Sequence, residues 1–142
     1  MKQVMTLTLA AALCISLCAC VCIPGRSSVD KYAKVTFSDG TTVTYEVDEI
    51  PDLIHENVVA YNNKYPGNKV EVVDTVRSIS SGYGEYGYIS VDTNGGWHVS
   101  LKADHPILID LREGTAVKIK GTLQKQTWSI EEDEITIIDQ DA

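Results

Sequence analysis

Two stretches decide the predicted fold: Val70-Glu-Val-Val-Asp-Thr-Val76 and Val117-Lys-Ile-Lys-Gly-Thr-Leu123. Each alternates apolar with polar residues, a pattern that predicts a half-buried β-strand. Gly121 stands where a glycine relieves crowding on a strongly bent strand. The likeness of the two stretches supports a small closed barrel, and in a barrel of this kind we expect them to be neighbouring strands.

Three more strands are predicted around this pair, at Tyr88 to Asp92, at Trp97 to Ala103 and at about Glu134 to Asp139. The alternation slips by one place at Ile79, which predicts a bend or β-bulge in the first strand. The loop that contains His105-Pro106 has room for one short helical turn. Five strands with this spacing predict an OB-fold-like barrel.

A hairpin and a helix precede the predicted barrel. Asp39-Gly40 separates alternating runs at 33–38 and 42–48, a strong signal for a β-hairpin. A helical stripe follows, made of Ile54, Val58, Tyr61 and Tyr65. The predicted fold class is therefore all-β with one helix: a domain at 31–142 with an N-terminal hairpin (31–48), a helix (51–65) and the five-stranded barrel.

The N-terminal segment resembles a bacterial lipoprotein signal. All four cysteines, Cys14, Cys18, Cys20 and Cys22, lie at the end of an apolar run that follows Lys2. We expect a signal peptide at 1–19, lipidation of Cys20, and a tether at 20–30 that leads to the domain. An uncleaved membrane anchor and a buried N-terminal helix are the alternatives. The expected location is the extracytoplasmic side of the bacterial cell envelope, with the membrane as a partner through the lipid.

The charge balance disfavours nucleic acid as a partner. The chain has 12 basic and 20 acidic residues, and loss of Lys2 with the signal leaves a formal charge of −9. An acidic domain repels polyphosphate and releases few counterions on binding it. A protein or a glycan of the cell envelope is compatible with this charge.

The chain resembles the tRNA-anti-like OB-fold domains of small bacterial proteins, which are often exported or lipid-anchored. The resemblance is carried by the helix, the two strands quoted first and the leucine-glycine turn at Leu111-Arg-Glu-Gly114. The resemblance covers roughly residues 52–139 and implies the fold more than the function. Asp74 departs from it, because the family has a glycine there. A weaker likeness, to exported bacterial OB-fold proteins related to stress response, rests on Tyr88-Ile-Ser-Val-Asp92 and Trp97-His-Val-Ser-Leu101.

The ligand-binding candidates lie on the second and third predicted barrel strands and the loop before them, the face where OB-folds bind oligonucleotides or oligosaccharides. Aromatic side chains there could stack on a sugar or a base, and cross-strand packing is the alternative role. The candidates are Tyr83, Tyr86, Tyr88, Trp97, His98 and Lys102.

Catalytic, metal and cofactor motifs are absent from the sequence. The three histidines lack metal-ligand spacing, and no nucleophile elbow or phosphate-binding loop occurs. The acidic run Glu131 to Glu134 is interpreted as a solvated turn before the last strand. We therefore expect a non-enzymatic binding module without a cofactor or a metal. A single-stranded nucleic-acid binder and a structural accessory without a small ligand are the alternatives.

Lipidation of Cys20 predicts that radiolabelled palmitate is incorporated into the wild-type protein in the membrane fraction, and that Cys20→Ala abolishes the label. Cys22→Ala is the matched control and should keep it. A soluble, unlabelled wild-type chain would contradict the prediction.

Overall fold

The computed structural model describes residues 29–81 and 87–138 of the chain. The expected signal peptide, Cys20, most of the expected tether, Tyr83 and Tyr86 lie outside these residues. The elements in chain order are β1 (Tyr32–Thr36), β2 (Thr42–Tyr45), α1 (Glu49–Glu56), α2 (Val58–Lys64), β3 (Lys69–Ser81), β4 (Tyr88–Thr93), β5 (His98–Lys102), a 3₁₀ turn (Pro106–Ile109), β6 (Ala116–Leu123) and β7 (Ser129–Ile137).

Strands β3 to β7 form a closed five-stranded barrel. Around the barrel the order is β3-β4-β5-β7-β6, and β6 returns to pair with β3. The pairs are antiparallel except for the short β5–β7 pair, which is parallel. The predicted OB-fold-like barrel, preceded by a hairpin, is therefore confirmed.

The antiparallel β3–β6 pair closes the barrel, with Val72 opposite Ile119 and Asp74 opposite Val117. These are the two similar stretches from which the fold was predicted, so their expected pairing is confirmed. On its other edge, the first half of β3 pairs with β1 and the second half with β4. A register shift between Val76 and Ser78 separates the two halves, as the slipped alternation predicted.

Asp74 stands where the family that the chain resembles has a glycine. Its side chain is fully buried near the register shift in β3. Its Oδ2 accepts the N–H of Gly95 at 2.7 Å, and its Oδ1 accepts the N–H of Thr75 at 2.8 Å. Hydrogen bonds from backbone N–H groups to a carboxylate are stronger than those between neutral groups. Asp74 therefore ties the β4–β5 turn to the middle of β3.

The single helix predicted at 51–65 is wrong: two helices, α1 and α2, occupy this region. Asn57 interrupts them with an extended backbone (φ −156°, ψ 83°), and its side chain accepts the N–H of Ala60 at 3.0 Å. Asparagine favours this capping role, so it starts a second helix instead of continuing the first. Val58 is consequently 37% exposed, whereas Ile54, Tyr61 and Tyr65 are buried as the stripe predicted.

The prediction that Glu131 to Glu134 form a turn is also wrong. Strand β7 begins at Ser129, and the four acidic residues belong to it. Buried Ile130 and Ile135 flank the run and hold it against the barrel. In the pairing with β6, Gly121 lies opposite Glu132 and Lys120 opposite Glu134, so Asp133 is the extra residue of a bulge.

The core fills the barrel and continues under the two helices. Its largest fully buried side chains are Trp97, Tyr61, Ile50, Leu101, Leu111, Ile119 and Leu123. The predicted short helical turn after His105 is present as the 3₁₀ turn. Within residues 29–81 and 87–138, no helix is both long and apolar enough to cross a membrane.

Close approach of β7 to Gly121 predicts that Gly121→Ala destabilises the fold. An added Cβ would collide with the backbone oxygen of Glu131 and lie 2.5 Å from Ile130 Cγ2. We expect a loss of about 1–3 kcal/mol in the free energy of unfolding, measured by urea denaturation. Thr136→Ala, at an exposed site on β7, should change it by no more than about 0.5 kcal/mol. Equal stability of the two variants would contradict the prediction.

Candidate functional site

The outer face of β4 and β5 carries three cross-strand pairs. Tyr88 lies opposite Lys102, Ser90 opposite Ser100, and Asp92 opposite His98. The alternate residues Val91, Val99 and Leu101 are buried in the barrel. Three of the predicted ligand-binding residues, Tyr88, His98 and Lys102, are thus brought together on one face.

An open groove of about 440 Å³ runs from this face towards β7. Tyr88, whose side chain is 39% exposed, and Lys102 border it on one side. The rest of its lining comes from β5, the β6–β7 loop and β7: Ser100, Gln124, Ser129, Ile130, Glu131 and Glu132. The groove therefore offers one aromatic ring, an amide and charges of both signs.

A hydrogen-bond network holds the polar side chains at one end of this face. His98 Nδ1 lies 2.9 Å from Asp92 Oδ1, and His98 Nε2 lies 3.2 Å from Ser100 Oγ. Ser78 on β3 donates to Asp92 Oδ2 at 3.4 Å. Both imidazole nitrogens of His98 therefore have partners on this face, and one of those partners is Ser100 at the edge of the groove.

The helices hold the β6–β7 loop that borders the groove. Tyr61 in α2 donates its hydroxyl to the carbonyl oxygen of Gln124 at 2.7 Å. Burial raises the pKa of Tyr61 to about 12, so this donor stays protonated at neutral pH. The side-chain oxygen of Asn62 accepts the N–H of Gln126 at 2.8 Å. The predicted stripe indicated that Tyr61 is buried, but no local pattern indicated its partner.

Trp128, in the same loop, stacks on His55 of α1 with ring centroids 5.0 Å apart and an angle of 27° between the planes. Trp128 remains 38% exposed. The stacking gives this exposed histidine a packing partner.

Two groove residues, Glu131 and Glu132, were missed because the acidic run was assigned to a turn. Their strand position follows from the burial of Ile130 and Ile135 on either side of them. His105 Nε2 lies 3.6 Å from Glu132 Oε1. Lys102 is the one basic residue in the lining of this groove, against these two carboxyl groups.

Trp97 corrects the predicted site. Its side chain is fully buried, and its Nε1 donates to the carbonyl oxygen of Val47 at 2.7 Å. It therefore joins the barrel core to the segment before α1 and does not reach the outer face. Tyr83 and Tyr86 lie between β3 and β4 in the sequence, outside the described residues, so their part in the site stays a prediction.

A second polar surface crosses the outside of β1, β3, β6 and β7. Lys34, Glu71, Lys120 and Glu134 lie side by side in one cross-strand row. Glu71 lies 3.4 Å from Lys34 and 3.9 Å from Lys120. Opposite charges already satisfy one another here, so the groove beside β5 is the better candidate for a ligand.

Glu71 also accepts a 2.7 Å hydrogen bond from the hydroxyl of Tyr32. This bond, followed by the charge of Lys34, lowers the pKa of Glu71 below its ordinary value, and burial opposes the effect. The same bond raises the pKa of Tyr32. The carboxyl group is therefore held in its ionised form at the centre of the row.

In the parts of the chain that the structure describes, no group of three or more His, Cys, Asp or Glu side chains is placed to hold a metal ion. Comparisons of the chain with protein families, curated proteins and solved structures found no match.

Tyr32→Phe tests the bond to Glu71 by removing its donor. We expect the pKa of Glu71, followed by NMR of the side-chain carboxyl carbon, to rise towards the ordinary value. A lowered folded-state pKa stabilises the fold above the pKa of the unfolded chain, and this stabilisation is lost as the pH falls through the folded-state pKa. The variant should therefore lose less stability than the wild type between neutral and acidic pH. Thr136→Ala is the control, and an unchanged pKa in Tyr32→Phe would contradict the assignment.

Proposed function

We propose that the protein is a non-catalytic binding module, lipid-anchored through Cys20 on the extracytoplasmic side of the bacterial cell envelope, whose OB-fold-like barrel binds an oligosaccharide in the groove beside β5. The observation that carries the proposal is the lining of that groove: one exposed tyrosine ring among hydroxyl, amide, ammonium and carboxylate groups. We also propose that the barrel is related to the tRNA-anti-like OB-fold domains that the sequence resembles. A protein segment is the other partner that an envelope location admits.

Sugar rings need two kinds of contact that this groove offers together. Their C–H faces pack on aromatic rings, and Tyr88 exposes such a ring at the groove's edge. Their hydroxyl groups both donate and accept hydrogen bonds, which suits Ser100, Gln124 and the carboxylates of Glu131 and Glu132. The groove is partly open to solvent, so a chain of linked sugars can extend beyond it.

Charge separates this proposal from nucleic-acid binding, the alternative that the fold brings with it. A phosphate backbone would meet Glu131 and Glu132 in the groove, with Lys102 as the one cation in its lining. Single-stranded nucleic acid is usually followed by a positively charged track. A neutral or amino-sugar oligosaccharide avoids this repulsion, and an amino group would be attracted to the carboxylates.

Tyr88→Ala is expected to weaken binding of chitotetraose about tenfold, or ~1.4 kcal/mol, because the variant loses the ring on which a sugar packs. Binding would be measured by isothermal titration calorimetry with the full chain in detergent. Val59→Ala removes an exposed apolar side chain from α2, outside the groove, and should leave the affinity unchanged.

The nucleic-acid alternative is tested by titrating the protein into labelled oligodeoxythymidylate at low salt and measuring binding. Saturable, salt-sensitive binding of this oligonucleotide, with no response to chitotetraose, would favour the nucleic-acid alternative. If the wild type and Tyr88→Ala bound chitotetraose with equal affinity, the groove beside β5 would not be the binding site.

A further inference from the structure

Strand β2 presents a free sheet edge. The barrel strands β3 to β7 close on themselves, and β1 lies between β2 and β3. Among the residues that the structure describes, β2 pairs with β1 alone. Every other strand of this sheet has a neighbour on both sides along at least part of its length, so β2 is the place where another strand can be added.

The hairpin register identifies the backbone groups at this edge. The N–H of Phe37 donates to the carbonyl oxygen of Thr41 at 2.8 Å across the first pair of the hairpin. Hydrogen-bonded and non-hydrogen-bonded pairs alternate along an antiparallel ladder. Val43 and Tyr45 therefore bond to β1, whereas Thr42 and Thr44 direct their N–H and C=O groups away from it.

Apart from its short length of four residues, β2 lacks the usual protection of an edge strand. Natural edges are very short, carry charged residues, proline or a bulge, or are covered by another element. Residues Thr42–Tyr45 have no charge and no proline, and their register with β1 is regular. Thr42, Val43 and Thr44 are exposed, including 36% of the apolar Val43. An edge of this kind is suited to pairing with an extended polypeptide.

An acidic groove of about 430 Å³ begins where β2 ends. Its floor includes buried Ile50 and Tyr65. The carboxyl groups around it belong to Glu46, Asp48, Glu49, Asp52 and Glu56. Within the described part of the chain, none of the ion pairs closer than 4.0 Å includes any of these five. The groove therefore has strong negative charge that its own lining does not neutralise.

We propose that β2 is a docking edge for an extended segment of a partner protein that adds an antiparallel strand and places lysine or arginine residues in the acidic groove. Main-chain hydrogen bonds to Thr42 and Thr44 supply the pairing, as in other cases of β-strand addition. In antiparallel pairing, the residues that precede the partner's strand meet the end of β2, where the carboxyl groups lie. This surface is separate from the groove beside β5 and does not depend on the proposed glycan binding.

Charge also argues against a second copy of the chain as the occupant. Two antiparallel β2 strands would bring the acidic groove of one copy to the hairpin turn of the other, which carries Asp39. Two parallel β2 strands would place two acidic grooves side by side. Both arrangements bring like charges together, whereas a basic segment neutralises them.

The test uses a synthetic peptide, acetyl-Lys-Lys-Lys-Gly-Thr-Val-Thr-Val-Thr-amide, titrated into the full chain in detergent by calorimetry. Saturable binding that weakens with salt is expected. A peptide with glutamate in place of each lysine should bind at least tenfold more weakly. Tyr88→Ala should bind the lysine peptide as the wild type does, which separates this edge from the groove beside β5.

Thr44→Pro tests the edge itself. Proline is tolerated where the N–H of an edge strand faces solvent, so the fold should be kept while one outward donor is lost. We expect at least a tenfold rise in Kd at an unchanged melting temperature, and an unchanged Kd for Thr44→Val, which keeps the backbone donor.

The combined variant Glu46→Gln, Glu49→Gln, Asp52→Asn should also raise Kd at least tenfold. Its control, Asp104→Asn, Asp110→Asn, Glu113→Gln, removes the same charge from exposed sites elsewhere and should leave the Kd unchanged. No binding by the wild type, or equal Kd values for wild type and Thr44→Pro, would overturn the proposal. The proposal would also be overturned if the wild type sedimented as a dimer and Thr44→Pro as a monomer, because a second copy of the chain would then occupy the edge.

Discussion

The pairing of β3 with β6 is the interaction on which the rest of the structure depends. It converts an open sheet into a barrel and thereby encloses Val72, Ile119 and Trp97 in one core. At Gly121 of β6, the backbone of β7 passes too close for any Cβ. The groove beside β5 exists only because β7 is held in this position, next to both β5 and β6.

The candidate site is also supported from outside the barrel. Tyr61 and Asn62 in α2 hold the β6–β7 loop by hydrogen bonds to Gln124 and Gln126. Besides packing on the barrel, α2 therefore fixes one wall of the groove. A change in α2 can therefore alter the site without touching its lining, so stability and binding should be measured together in any variant of this helix.

Local patterns predicted the strands, the bulge and the closing pair because these depend on alternation and on one glycine. They did not predict the helix break, since Asn57 occupies a position that a helical stripe also tolerates, and the spacing does not reveal its capping bond to Ala60. They placed Glu131 to Glu134 in a turn because four acids in succession mask the apolar residues on either side. The site was predicted in part: the alternation placed Tyr88, His98 and Lys102 on one face, whereas the contribution of β7 and the α2 contacts join residues far apart in the sequence.

Closure of the barrel also has a consequence for the time course of folding. Val72 and Ile119 are separated in the chain by β4, β5 and the 3₁₀ turn, whereas the β1–β2 hairpin and the two helices need only local contacts. Closing a long loop has an entropic cost that the contacts within it repay only afterwards. We therefore expect closure to limit the rate of folding, on the millisecond-to-second scale typical of barrels. Until β6 arrives, β3 exposes an apolar strand edge, and this interval is when a folding molecule is most prone to aggregate.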